Sequence, residues 1–371
     1  MSGRPRLCIV IPSLMPGGTE RQVVYLVQGL SSAFDIDLVC TREAGAWAKQ
    51  IQPYAEVFGL GISSGWDPRL LSALGKRFRD RKPDIVQTYL SGFDYAANVA
   101  ARRAGVKVIV SSRRERAEWK RLRHVWFQRR ANRHVDAIIA NCRAVAEFAA
   151  EQEHEILERY TVIYNGVADF PADSGKDVRM ELTLPRTAPL VGMVANFSPD
   201  KDHALFVSMA ERIHMRRPDV HFVLVGEGPL RAPVQREIVK RGLGDVFRFV
   251  VKREEVFDLY RTMDVAVLTS KTEGLPNVVL EAMAAARPMV AAAVGGVTEI
   301  IDDRVTGRLI SVRNPDDFAE AVIDSIENGV EAKQMGARAA SSVLERFSIE
   351  TMVARHQELY LQLLERARRA D

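Results

Sequence analysis

Cysteine is scarce in this chain of 371 residues. The three present, Cys8, Cys40 and Cys142, are odd in number, lie in apolar or helical surroundings and show no metal-ligand spacing. That excludes a disulfide framework and a thiolate metal site, and they read as the reduced thiols of a cytosolic protein. Long apolar runs are also missing: none approaches the roughly 20 residues a spanning helix needs, so any membrane association would be peripheral. The apolar run behind the short basic N-terminus, Met1 to Arg6, is only about half a signal-peptide core and meets Pro12 before a glycine pair. It reads as a first strand. Internal repeats and low-complexity tracts are absent as well.

What is present is enough apolar material, 47% of residues, for two cores of ordinary size, and a chain this long exceeds what one core usually supports. The net charge of +4 is unevenly spread. Arg113 to Arg133 holds nine Lys or Arg against Glu115 and Glu118, a local +7, so the remainder is slightly acidic. That pattern argues against general nucleic-acid binding and for one local anionic partner.

The most informative stretch runs from Val265 to Met283. Val265 to Leu268 has the length and composition of a buried strand, and Pro276 suits a first helical position. Glu273 then falls in the loop at the strand's C-terminal end, and Glu281 lies more than one turn inside the following helix. Two solvated surface acids would explain such a pair equally well. Other strand-to-glycine junctions repeat the arrangement. Leu7 to Leu14 leads to Gly17-Gly18 and an amphipathic helix, a junction that fits either a ligand-facing turn or a plain tight turn. Leu190 to Phe197 leads to Ser198-Pro199-Asp200-Lys201, where Lys201 stands beside a helix start, well placed for a phosphate unless it is merely solvated. His221 to Val225 leads to Gly226-Glu227-Gly228-Pro229, and Met289 to Val294 to Gly295-Gly296. Further strands are expected at Ile85 to Tyr89, Val106 to Ser111, Ala137 to Ala140, Thr161 to Tyr164 and Phe247 to Val251. Strand and helix alternate throughout, so the sheets should be mostly parallel, with the glycine loops on one sheet edge.

Ser270-x-x-Glu273-Gly274-Leu275-Pro276-Asn277, with Glu281, resembles the paired-glutamate motif of glycosyltransferase family 4, whose members are retaining, nucleotide-sugar-dependent enzymes. Gly17, Gly18, Glu20 and Arg21 match that family's loop after the first strand, Asn165-Gly166 its turn at the end of the first domain, and Gly226-x-Gly228-Pro229 its nucleotide-side loop. The resemblance implies an α/β GT-B fold, two Rossmann-like doubly wound domains facing across a cleft. An acceptor-side domain, 1–168, would be completed by a helix over 348–371; a linker, 169–189, would lead to a nucleotide-sugar-binding domain, 190–347. It also implies that Lys201 meets the donor diphosphate, Glu273 the transferred sugar and Glu281 the ribose, with Gly226, Gly228, Gly274, Leu275, Pro276, Asn277 and Asn196 lining the donor site. A UDP-sugar is favoured over a GDP-sugar. No metal or other cofactor is expected. Asp35-Ile36-Asp37 has the spacing of a metal-binding Asp-x-Asp. Phe34, Ile36 and Leu38 alternate with it as a strand start, which puts both acids at the end of the sheet away from ligands.

The pattern departs from the family at three places. Asn196 stands where many members carry an Arg, Arg113 where a His is common, and Gln87 and Tyr89 where a His-x-His pair is common. Gly17, Gly18, Arg113 and Asp94 are the acceptor-side candidates, although Asp94 serves equally as a cap of the helix beyond it. Ala117 to Ala131 reads as a helix with Trp119, Leu122, Val125 and Trp126 on one stripe and basic residues around the rest, which fits an anionic membrane surface or an ordinary core-packed helix with a solvated basic face. The expected protein is a cytoplasmic glycosyltransferase, peripheral at the inner membrane face, acting on a glycan or lipid-linked acceptor. A nucleotide-sugar epimerase of similar fold and a non-enzymatic two-lobed sugar-binding protein are the other readings. Product formed without acceptor would mark the first, and secretion the second.

Overall fold

Short apolar runs bounded by turn residues become strands, and the amphipathic stretches between them become helices, as side-chain periods of two and 3.6 dictate. The computed structural model describes residues 3–89, 92–169, 178–251 and 257–370. The chain divides into two units, Met1–Gly166 with Ile349–Asp371, and Val167–Ser348. Of the expected connection at 169–189, residues 170–177 lie outside the described ones.

The first unit alternates β1 (Arg6–Ile11), α1 (Gly18–Leu30), β2 (Asp35–Cys40), α2 (Ala48–Ile51), β3 (Glu56–Gly59), α3 (Pro68–Arg81), β4 (Ile85–Thr88), α4 (Asp94–Arg103), β5 (Val108–Arg113), α5 (Leu122–Asn132), β6 (Ala137–Ala140), α6 (Arg143–Glu153) and β7 (Tyr160–Val162). All neighbouring strands pair parallel, in the order β3-β2-β1-β4-β5-β6-β7. Alternation along β1 fills two cores. Leu7, Ile9 and Ile11 join Val23, Leu26 and Val27 of α1 together with Tyr360 and Leu363 from the chain's last helix. Cys8 and Val10 face the opposite way, onto Leu70, Leu74 and Phe78 of α3 and Ala97 of α4.

The second unit holds α7 (Val178–Glu181), β8 (Leu190–Val194), α8 (His203–Arg216), β9 (His221–Val225), α9 (Arg231–Lys240), β10 (Phe247–Val250), α10 (Phe257–Thr262), β11 (Val265–Leu268), α11 (Asn277–Ala284), β12 (Met289–Ala292), α12 (Val297–Ile300), β13 (Arg308–Ile310), α13 (Pro315–Glu327) and α14 (Gly329–Arg346). Its parallel sheet runs β10-β9-β8-β11-β12-β13. The last helix, α15 (Ile349–Ala370), belongs to the first unit, where Tyr360 meets Phe34 edge-on at 5.8 Å.

Both sheets reverse their winding in the middle, between β1 and β4 in one unit and between β8 and β11 in the other. In open α/β sheets ligands bind beyond the carboxyl ends of the strands at that reversal. Asp35 and Asp37 lie at the far end of β2, paired with Arg4 and Arg81 at 2.7 Å each, as the strand alternation required.

The expected helix over Ala117 to Ala131 is shorter than its periodicity suggests. It begins at Leu122, because Arg121 is extended and its backbone N–H donates to Nδ1 of His124, three residues on, at 3.0 Å. A side chain that captures the N-cap amide this way fixes where a helix starts. Trp119 and Lys120 therefore precede the helix instead of riding on its face.

Candidate active site

At the reversal in the second unit, the loops after β8 and β11 are bound to each other before any ligand arrives. The amide of Lys271 donates to the carbonyl of Asp200 at 2.7 Å. The hydroxyl of Thr269 donates to the carbonyls of Lys201 and Asp202 at 3.0 Å each. Asp202, at a left-handed φ of 50°, caps α8 through the amide of Leu205 and holds the Arg313 guanidinium, which also reaches the carbonyl of Thr269 at 3.4 Å.

This scaffold fixes Lys201 against Glu273. The ammonium donates to Oε1 of Glu273 at 2.7 Å, the same oxygen accepts from Ser270 Oγ at 2.6 Å, and Asp200 stands 3.5 Å from Lys201. Glu273 is 8% exposed. Burial by itself would lower the Lys201 pKa, but Glu273 and Asp200 together outweigh it and the net shift is upward. A cation with a pre-set carboxylate beside it, at the carboxyl end of two central strands, is equipped to hold an anionic leaving group and a hydroxylated ring.

The neighbouring backbone is just as constrained. Gly295 has φ +51°, and a Cβ there would stand 1.9 Å from the carbonyl oxygen of Glu273. Gly226 has φ +149°, and its Cβ would stand 2.1 Å from the carbonyl oxygen of Ala195. Only glycine fits either position, so the backbone itself lines the loop cluster. Gly228 sits in the same turn, Gly274 accepts from the amide of Gly296 at 2.8 Å, Leu275 and Pro276 are buried, and Asn277 opens α11. Glu281 lies in the second turn of α11, 7% exposed, where Tyr260 Oη donates to its Oε2 at 3.3 Å. Asn196 is exposed. His203 is buried and stacked on Phe197 at 4.2 Å; burial pushes its pKa down to about 4, so it serves packing.

In the first unit, Gly17 caps α1 and Gly18 is its first residue, directly beyond β1. Gln22 of that helix exchanges two hydrogen bonds with the backbone of Gly166, at 2.7 and 2.8 Å. The acceptor-side pair is deep inside. Arg113 donates to both oxygens of Glu153 at 2.8 and 3.0 Å, to Asp94 Oδ2 at 3.2 Å and to Asn132 at 2.9 Å, and it is 3% exposed. Lys120 completes the cluster through Glu153 at 3.1 Å. Burial works against the Glu153 carboxylate, yet Arg113 and Lys120 overcome it and bring its pKa down to about 2. For Asp94 burial prevails over the same two cations, and its pKa is raised. Arg113 is thus spent on internal partners, the carboxylates of Asp94 and Glu153 together with Asn132. The side chain at the sheet's edge is Arg114, which donates to Asn165 Oδ1 at 2.6 Å.

Several of these residues carried no sequence signal. Arg313 is 111 positions from Asp202, Glu153 is 40 from Arg113, and Tyr260 is 21 from Glu281. None belongs to a motif. Ser270 could have been singled out, because it opens the Ser-x-x-Glu stretch and its hydroxyl donates to that Glu.

Two doubly wound units, one with a cation and a carboxylate fixed at its topological reversal, define a two-domain α/β protein. Residues 16–169 match the family model Glycosyltransferase Family 4, and residues 176–342 match Glycosyl transferases group 1. A UDP-Gal:alpha-D-GlcNAc-diphosphoundecaprenol alpha-1,3-galactosyltransferase of Escherichia coli is 25% identical, covering 98% of this chain and 99% of its own. An N-acetyl-alpha-D-glucosaminyl L-malate synthase of Bacillus anthracis is 26% identical over 60% of this chain and 59% of its own. Among solved structures, the Anabaena protein HepE in complex with UDP and glucose superposes with a TM-score of 0.86 at 20% identity, covering 97% of this chain and all of that one. The chain belongs to the GT-B glycosyltransferases.

Proposed function

We propose that the protein is a retaining glycosyltransferase that moves a sugar from a nucleoside-diphosphate sugar, UDP-linked in preference to GDP-linked, onto a hydroxyl of a lipid-linked or cell-surface glycan precursor. The observation that carries this reading is the Lys201–Glu273 pair, 2.7 Å apart at the reversal of the second sheet. Lys201 and the backbone amides around it would take up charge on the departing diphosphate. Glu273 would hold hydroxyls of the transferred sugar, and Glu281, set by Tyr260, would hold the ribose. As the bond from the anomeric carbon to the phosphate oxygen breaks, its electron pair leaves with the diphosphate. The acceptor oxygen bonds to the same face of that carbon, and its proton passes to the departing phosphate. No divalent metal takes part in this scheme. The E. coli relative's diphosphoundecaprenol substrate and the Anabaena neighbour's UDP support the choice of substrates.

The protein would work in the cytoplasm, held peripherally to the inner membrane face. Leu122 is 90% and Trp126 49% exposed on α5, and Arg121, Arg123, Arg129, Arg130 and Arg133 are exposed around them, a composition that suits an anionic lipid surface. Arg113 and Lys120, counted into that basic segment from the sequence, are inside and paired, so they add nothing to its surface charge.

Incubation with a panel of UDP-sugars and lipid-diphosphate glycosides, followed by NMR of the product, tests the reading. Transfer with the donor's anomeric configuration kept is expected. An inverted product refutes retention, and an altered sugar released without acceptor would assign the protein to the epimerases.

A further inference from the structure

One arginine reaches the loops after β8 and β11 from a third loop. Arg313 follows β13, the edge strand, which β12 separates from β11. Its backbone is fixed from the far side, where Asn314 caps α13 through the amide of Asp317 at 2.8 Å and Pro315 opens that helix. α13 in turn is tied to α8, since Arg212 donates to Asp316 at 2.9 Å and Arg216 to Glu320 at 3.2 Å. From this anchorage the guanidinium crosses to the reversal of the sheet. One nitrogen, Nη2, donates both to Oδ2 of Asp202 and to the carbonyl of Thr269, the latter at 3.4 Å. Nε is buried with no acceptor among the described residues.

What Arg313 grips is a strained turn. Asp202 has φ 50° and ψ 55°, a left-handed conformation that costs any residue but glycine and persists only where its surroundings over-determine it. Here the carboxylate accepts from the amide of Leu205 at 3.4 Å and from Arg313, and the carbonyl accepts from Thr269 Oγ at 3.0 Å. The same hydroxyl donates to the carbonyl of Lys201 at 3.0 Å, so the turn and the lysine share one hold. The turn fixes the direction in which Lys201 leaves the backbone, and with it the contact of the ammonium with Glu273 at 2.7 Å. Among these contacts to Asp202, the one from Arg313 pairs opposite charges, which makes it the strong one. It also commits Nη2 to a carboxylate, so the arginine is set to hold the turn and not a phosphate.

We infer that Arg313 is a positioning residue of the transfer reaction: by holding Asp202 in its left-handed turn, it sets Lys201 against Glu273. For its effect on rate the inference rests on the reading of Lys201 as the cation that meets the donor diphosphate; the placing of the ammonium does not.

The Lys201 pKa separates position from charge. Removing a neighbouring cation and leaving the Asp202 carboxylate unpaired would each favour charged Lys201 and raise its pKa. Burial lowers that pKa and Glu273 is the largest influence raising it, with a net shift upward, so an ammonium that drifts from Glu273 gives up an elevated value. A fall on loss of Arg313 therefore reports displacement.

The test uses full-length Arg313→Gln, Arg313→Lys, Asp202→Asn and the Arg313→Gln/Asp202→Asn double variant, with Lys201→Ala as control. NMR of protein with isotope-labelled lysine follows the Lys201 titration, its signal being the one lost in Lys201→Ala, and circular dichroism confirms the fold across the range. Initial rates with a UDP-sugar give kcat and KM, and calorimetry with UDP counts folded sites. In Arg313→Gln the Lys201 titration should move to lower pH, and kcat per folded site should fall roughly 10- to 100-fold, the loss that a misplacement on the order of 1 Å brings, with donor KM changing less. Arg313→Lys can give both hydrogen bonds from one nitrogen, as Arg313 does, and should recover most of the rate. Asp202→Asn keeps a residue at ease in the left-handed region but weakens the grip, so kcat should fall there too, and the double variant should lie within about twofold of the poorer single one. A Lys201 titration that stays or rises in Arg313→Gln overturns the inference, as do additive losses in the double variant. Unchanged kcat in Arg313→Gln or Asp202→Asn, while Lys201→Ala is impaired, overturns it as well. Full rate and UDP affinity in Lys201→Ala would instead overturn the diphosphate reading of Lys201, and the titration would still decide whether Arg313 places the ammonium.

Discussion

Glu273 and Glu281 are both nearly buried carboxylates on one loop and helix, yet their substitutions should fail in different ways. Glu281→Gln removes a charge held by Tyr260 at 3.3 Å and assigned to the ribose, a part of the donor that does not change during the reaction. A hydrogen bond to a charged group is worth about 1.5 to 3 kcal/mol, so Kd for UDP and KM for the donor should rise roughly 10- to 150-fold while kcat falls much less. Glu273→Gln acts on the residue assigned to the reacting end. The transferred ring gains positive charge as its bond to phosphate breaks, so a carboxylate there holds the transition state more tightly than the ground state, and its loss should lower kcat chiefly. The structure adds a second signature. Glu273 is the largest of the influences that raise the Lys201 pKa, and burial pulls the other way. Without the carboxylate, Asp200 at 3.5 Å is left to oppose burial, so the Lys201 pKa should drop and the alkaline limb of the rate profile should move to lower pH. Glu281→Gln should leave that limb in place. The assays are initial rate against donor concentration, rate against pH and calorimetry with UDP, with thermal melting to confirm folding. Identical kinetic profiles for the two variants, or an alkaline limb that stays fixed in Glu273→Gln, would refute the assigned roles.

Turnover should be unchanged in excess chelator if, as proposed, Lys201 and backbone amides take the phosphate charge; a loss restored by magnesium or manganese refutes this. Sedimentation with anionic liposomes should exceed that with neutral ones at low salt, by about 1 kcal/mol for each basic residue at the surface, and should weaken as salt is added. Equal sedimentation with both would remove the membrane role of α5. Stability should fall on acidification, because burial holds His203 and His356 at a pKa of about 4 against an ordinary 6.5. Both stay neutral in the fold while the unfolded chain protonates, so each contributes stability that is present above pH 6.5 and lost between 6.5 and about 4, roughly 3 kcal/mol at full titration. Chemical denaturation of His356→Leu across that window should show a flatter pH dependence than the unsubstituted protein, and an equal slope would refute the assignment.

The sheets were legible because their strands are continuous apolar runs, buried on both faces as parallel strands are. Ala137–Ala140, His221–Val225 and Val265–Leu268 fall at the positions their composition indicates. The edge strands β3 and β13 were not legible. Glu56–Gly59 is exposed at both ends and half-buried between, and Arg308–Ile310 is three residues long, so neither leaves a run to read. Loop residues were legible where a motif carried them. The Lys201–Glu273 contact spans 72 positions, and no spacing rule reaches that far.

The basic segment shows most clearly what composition conceals. Nine cations within 21 residues read as one positive surface, yet Arg113 and Lys120 turn inward to Asp94 and Glu153, which lie outside the segment on α4 and α6. A buried cluster of this kind is weak ground for stability, since apolar residues of similar volume often do as well or better. What it supplies is position. Arg113 takes both oxygens of Glu153 and one of Asp94, Gln128 takes that same oxygen of Asp94, and the other oxygen is left facing no donor among the described residues. An apolar replacement of the cluster would keep a fold and lose that orientation.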